Sequence, residues 1–180
     1  MTAPARLLVT LCAALLPGCR SYDPQQELEV SGVETYWALD RPSGTTQYLA
    51  PVVRLHVRNK GPHVLRSVQA TATFRRQGET ATWGSDWKPL TASDRPLGPG
   101  PEVLVVLKSD ARYYSGGAVE GMFAHPQWKD ANVEVFLRIG PSSWSKFVST
   151  GIERRLGARG VQEEQGGATV VAPGAGVARP

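Results

Sequence analysis

Strict alternation of apolar and polar side chains, in short runs cut apart by proline and glycine, constrains this chain more than any other feature of its sequence. Val53, Leu55 and Val57 alternate with Arg54, His56 and Arg58, and a period of two sends the two sets to opposite faces of a β-strand. Val68, Ala70, Ala72 and Phe74 alternate in the same way with Gln69, Thr71 and Thr73, as do Val133, Val135, Leu137 and Ile139 with Glu134, Phe136 and Arg138. Leu28 to Leu39 reads as a first strand with Val33, Thr35, Trp37 and Leu39 on one face. Glu102 to Lys108, with five consecutive apolar residues, reads as a more fully buried strand. Thr80 to Lys88 and Ser143 to Ile152 complete the set.

Turn formers separate these runs. Asn59-Lys60-Gly61-Pro62, Gln77-Gly78-Glu79 and Gly140-Pro141 end strands, and Pro96 to Pro101 is a loop because prolines at that density cannot supply a ladder of backbone donors. Gly116 to Asp130 is the one stretch that accommodates a short helix. Seven or so strands with turns between them predict an all-β protein, an antiparallel β-sandwich, with a barrel as the alternative. At 180 residues the chain has room for one such domain, placed at 28–156. Residues 157–180, ending GGATVVAPGAGVARP, hold too few large apolar side chains to build a core and read as a disordered tail.

The amino terminus has a different character. After the single basic side chain of Arg6 comes Leu7 to Leu16, an apolar run of ten residues. Ten helical residues span about 15 Å, half of the roughly 30 Å hydrocarbon core, so the run reads as a secretion signal rather than a membrane-spanning helix. Leu16-Pro17-Gly18-Cys19 follows directly and resembles the lipobox of bacterial lipoproteins, although Pro17 stands where that family usually has a small or aliphatic residue. The resemblance implies removal of residues 1–18 and acylation of Cys19, with 19–27 as lipidated residue and tether. It also implies a cell-envelope location, and the absence of Asp after the cysteine implies the outer membrane, facing the periplasm. Cys12 and Cys19 are the only cysteines, which leaves the folded part free of thiols that could mispair in an oxidising compartment.

The succession of alternating strand, Asn59-Lys60-Gly61, Leu65 and second alternating strand ending at Phe74 resembles the immunoglobulin-like, FxLYD-type domains of bacterial envelope proteins, a grouping of unknown function. Phe74 is followed by Arg75-Arg76-Gln77, so the signature itself is not met. The resemblance implies an immunoglobulin-like sandwich and no activity.

The formal charge of +4 falls little on losing residues 1–18, leaving 19 basic against 16 acidic side chains. With the arginines scattered along strands, this is not the footprint of a nucleic-acid binder. His56, His63 and His125 are not at metal-ligand spacing, and no cofactor motif is present. Ser143-x-x-Lys146 has a spacing by which lysine can activate serine, but lies in strand sequence without companion motifs; no enzyme is expected. Two candidate binding features remain. Arg54, His56 and Arg58 project from one side of a strand as a stripe for anionic head groups. Trp83, Trp87, Tyr113 and Tyr114 lie in or beside loop-like sequence, and Tyr113-Tyr114-Ser115-Gly116-Gly117 is the better recognition loop for an envelope protein or glycan. The expectation is a membrane-anchored, non-enzymatic binding or structural module, or else an accessory lipoprotein of an envelope lipid or polymer transport or assembly complex.

Overall fold

The computed structural model of the chain describes residues 22–43, 46–116, 119–157 and 169–171. Cys19 and the apolar run before it lie outside the described residues. Among the described residues nine strands pair in two antiparallel sheets: β1 (Leu28–Ser43), β2 (Thr46–Asn59), β3 (Val68–Arg76), β4 (Gly84–Pro89), β5 (Glu102–Lys108), β6 (Tyr113–Ser115), β7 (Ala131–Ile139), β8 (Ser145–Gly151) and β9 (Thr169–Val171). Seven of these exceed three residues, as the spacing of turns predicts. The first sheet has the order β1-β2-β5-β9, with β6 also against β2, and the second has the order β4-β3-β7-β8. Hairpins that change sheet after β2 and return with β5 beside β2, then with β7 beside β3, give an immunoglobulin-like β-sandwich.

Alternation decides which faces meet. Val53, Leu55 and Val57 of β2, with Val103, Val105 and Leu107 of β5, pack against Val68, Ala70, Ala72 and Phe74 of β3 and Val133, Val135, Leu137 and Ile139 of β7, all buried. Each buried Val or Leu contributes roughly 1.5 to 3 kcal/mol. A slip of one residue would turn a whole set to water, so register needs no disulfide.

The first strand departs from its predicted phase. Gly32 takes a positive φ of 57°, a conformation glycine adopts without strain, and the ladder to β2 shifts register between Ser31 and Glu34. Beyond this bulge Thr35 and Trp37 are buried as expected. Val33 and Leu39 are exposed, while Tyr36, on the other face, is buried beneath the segment that follows β8. That segment leaves the second sheet at Ile152 and crosses to β1: Thr35 Oγ1 donates to Gly151 O at 3.1 Å and accepts from Glu153 N at 3.0 Å. Trp37 N then donates to Arg155 O, and Gly157 N to Trp37 O. Burial pushes the Tyr36 phenol above its ordinary value.

Three further expectations change. The polar stretch placed in the tether belongs to the fold: Asp23 caps the short helix α1 (Pro24–Glu27), accepting from Gln25 N at 3.0 Å, with Pro24 in the first turn. Tyr22, in the same stretch, packs against the core. Within the expected tail, Thr169–Val171 pair with Glu102–Leu104 as β9, supplying the outer edge of β5 with hydrogen-bond partners; the other residues after 157 lie outside the described ones. The strand around Trp87 is shorter than expected, beginning at Gly84, and the stretch 116–130 holds a 3₁₀ turn, Val119–Ala124.

Candidate functional site

The two tyrosines read as one recognition loop are separated by strand geometry. Residues Tyr113–Ser115 form β6, pairing with Gln47–Leu49 of β2, so consecutive side chains point to opposite faces. Tyr113 turns inward. Its ring lies 4.9 Å from that of Trp83 and 4.6 Å from that of Trp128, centroid to centroid, and its hydroxyl donates to Lys129 O at 3.1 Å. Trp37, fully buried, stands among Trp83, Tyr113, Phe123 and Trp128. Trp83 thus belongs to the core cluster, with the Arg76 guanidinium 5.9 Å from its ring. Offset and edge-on pairs of this kind add about 0.5 to 1.5 kcal/mol each to the burial of area.

Tyr114 turns outward and is 76% exposed. It stands directly opposite Tyr48, whose ring carries the Arg112 guanidinium at 4.4 Å. Tyr48, Arg112 and Tyr114 make a small surface of rings and cation near the turn between β1 and β2, with a stacking face, a phenol that donates and accepts, and a charge. Tyr48 was not singled out in the sequence; its position opposite an exposed tyrosine depends on a pairing that only the fold creates.

The basic stripe is not a free anion site. Neighbouring strands supply a carboxylate to each member: Arg54 Nη1 is 3.2 Å from Glu34, His56 Nδ1 is 3.3 Å from Glu102, and Arg58 pairs with Glu29. The Arg58 guanidinium holds the Glu29 carboxyl below its usual range. Arg54, His56 and Arg58 do project outward together as predicted, but β1 and β5 bring Glu29, Glu34 and Glu102 onto the same face. An incoming phosphate would have to displace those carboxylates.

On the outer face of the second sheet, Trp87, Thr71, Phe136 and Lys146 fall in one row across β4, β3, β7 and β8. Trp87 is 52% exposed. Nearby, the Arg138 guanidinium lies 4.6 Å from the Trp144 ring and donates to Gln69 at 2.8 Å. Glu134 pairs with both Arg75 and Lys146, and the Lys146 hydrogen bond does most to lower its pKa. Lys146 is thereby bonded to a carboxylate, and Ser143 lies in the irregular connection just before β8.

A shallow groove runs between the edges of β1 and β8, lined by Val33, Thr35, Phe147 and Ser149 among others. Among the described residues no group of three or more His, Cys, Asp or Glu side chains could hold a metal ion, and no helix is long and apolar enough to cross a membrane.

The end of the sandwich where the chain enters is organised by Asn59, which is 1% exposed. Its Nδ2 donates to His63 O at 2.7 Å and Leu97 O at 3.0 Å, and its Oδ1 accepts from Gly61 N at 3.0 Å. Leu65 and Leu97 exchange backbone hydrogen bonds, Lys60 N donates to Glu27 O, and the Tyr22 ring stands 6.1 Å from that of His63. Chain entry and the two loops 60–67 and 90–101 form one bonded unit.

Compared with known proteins, the chain matches no family model, no curated protein and no solved structure.

Proposed function

We propose that the chain is a lipid-anchored protein of the bacterial envelope, acylated at Cys19, whose immunoglobulin-like sandwich is a non-enzymatic module that binds an envelope protein or glycan. The observation that carries the reading is the adjacency of two elements. An apolar run of ten residues ends in Leu16-Pro17-Gly18-Cys19, and Tyr22, three positions further on, packs against the core. A run of that length is half a bilayer span, and a cysteine three positions before a packed residue fits a thiol that joins a folded body to acyl chains. Two or more acyl chains on one residue meet the requirement for stable anchoring. The surface best suited to recognition is Tyr48, Arg112 and Tyr114.

Intact mass of the protein isolated from bacterial membranes tests the anchor: the expected species begins at Cys19 and carries acyl chains, and a species retaining Met1 or a free thiol at position 19 refutes it. Affinity capture from detergent-solubilised envelope tests the binding surface. A partner retained by the parent and lost with Tyr114→Ala is the expected result; equal recovery by both refutes the assignment of that surface.

A further inference from the structure

The end of the sandwich beside chain entry carries a surface whose chemistry and position fit a lipid bilayer. In the loop 60–67, Lys60, Pro62, Val64 and Arg66 are exposed, Gly61 and Leu65 are buried, and no acidic side chain occurs. Val64 is 50% exposed. Neither Lys60 nor Arg66 belongs to an ion pair among the described residues; Lys60 acts on Glu29 only through space, as one of several influences that lower its pKa. The outward-facing arginines of β2 are each bonded to a carboxylate, whereas Lys60 and Arg66 have no such bond among the described residues, although the Glu27 carboxylate packs against Gly61.

Position supplies the second argument. Two residues, Arg20 and Ser21, join Cys19 to Tyr22, and the three extended steps reach at most about 10 Å. Tyr22 stands against His63, the neighbour of Val64, and Asn59 ties the loop to chain entry through its three hydrogen bonds. With the 6.1 Å between the Tyr22 and His63 rings, a chain anchored at Cys19 therefore holds loop 60–67 within roughly 16 Å of the head-group layer, about two Debye lengths.

We infer that Lys60, Val64 and Arg66 form a bilayer-contacting surface for anionic phospholipid head groups. The two cations engage phosphates, Val64 and Pro62 enter the interfacial region, and the domain stands upright on its anchor. This rests on the lipid-anchor reading given above.

The acylated protein, reconstituted in vesicles, supplies the test. Removal of the signal and acylation of Cys19 leave no free thiol, so Val64→Cys and Tyr114→Cys each give a single labelling site for an environment-sensitive fluorophore. In vesicles of phosphatidylethanolamine and phosphatidylglycerol, a head-group spin label should quench the probe at position 64 at least threefold more than the probe at position 114. Changing Lys60→Glu and Arg66→Glu together should remove most of that difference, as should replacing the anionic lipid with phosphatidylcholine. Both charge substitutions are at exposed loop positions, and circular dichroism confirms the fold. Equal quenching at the two positions in a protein whose mass shows acylated Cys19 overturns the bilayer surface alone. An unacylated Cys19 overturns the anchor and this inference with it.

Discussion

Replacing Asn59 tests whether hydrogen bonding by one buried amide holds the chain-entry end together. Asn59→Ala removes three hydrogen bonds. Leu97 O keeps a second donor in Leu65 N, so the main orphan is His63 O. At about 1 kcal/mol net per bond, the loss is about 3 kcal/mol, which lowers the melting temperature of a domain of this size by roughly 10 °C. Asn59→Asp is nearly isosteric but places a carboxylate oxygen where Nδ2 now meets carbonyl oxygens at 2.7 and 3.0 Å. An oxygen there cannot donate unless protonated. Burial and the two carbonyls disfavour the charged form, so the folded pKa of the introduced carboxyl rises above its unfolded value of about 3.9. A raised folded pKa makes the contribution to stability greatest below the unfolded value and progressively lost as pH climbs through the folded value. Urea unfolding followed by tryptophan emission, from pH 3 to pH 8, should find Asn59→Asp at least as stable as Asn59→Ala in acid and less stable at neutral pH. Parallel pH dependences for the two variants, or an Asp variant as stable as the parent at pH 8, would refute the reasoning.

Tyr113→Ala should cost about 3 kcal/mol by opening the aromatic cluster, whereas Tyr114→Ala should stay within about 0.5 kcal/mol of the parent; thermal denaturation of the pair separates an inward from an outward ring. Thr35→Val keeps the shape but removes the hydroxyl that joins β1 to the crossing segment, with an expected loss of about 2 kcal/mol and faster hydrogen exchange at the Glu153 amide. Glu134 has its pKa lowered from the ordinary 4.5, first by the hydrogen bond from Lys146 and then by that from Arg75. Its contribution is present above 4.5 and lost as pH falls through the lower folded value. Glu134→Gln should therefore narrow the stability difference between pH 7 and pH 2.5, and an unchanged difference would count against the pairing.

Strands whose inner and outer sets alternate were legible in the residues: β2, β3 and β7 lie where apolar side chains recur every second position, whereas β5, with five apolar residues in a row, is where expected but buries only alternate ones. β1 was only half legible because Gly32 inserts a bulge, and an alternation rule has no way to know that the phase changes there. β6 was missed for a different reason. Three residues followed by Gly116 and Gly117 carry no periodic signal, and their extended form comes from pairing with Gln47–Leu49, partners more than sixty positions away. Pairing also decided the candidate sites. Arg54, His56 and Arg58 could be placed on one face from sequence, but the carboxylates that neutralise them arrive from β1 and β5, so only the assembled sheet reveals that the stripe is compensated. The entry turn, in contrast, was readable in principle: Asp23 followed by Pro24 is a helix start signal, overlooked because the stretch is short and polar.

On the proposed reading, the same topology would separate the surface that touches the membrane from the one that meets a partner. Asn59 ends β2 beside chain entry, and Tyr48 lies near its start, eleven residues away along one continuous strand. At about 3.3 Å per residue the intervening span is roughly 36 Å, several Debye lengths in physiological salt. A charge at Arg112, stacked on Tyr48, would then be insensitive to the head-group potential that acts on Lys60 and Arg66. Because β2 pairs on both sides with β1 and β5 along Arg54–Arg58, and its far end is pinned by β6, this distance is set by a paired sheet rather than by a flexible arm. An anchor at one end of such a strand presents the exposed rings at the other end at a nearly fixed height, and a partner embedded in or lying flat on the same leaflet would fail to reach them. The reading therefore requires that whatever binds Tyr114 extends well above the bilayer surface or lies across the space that the domain spans.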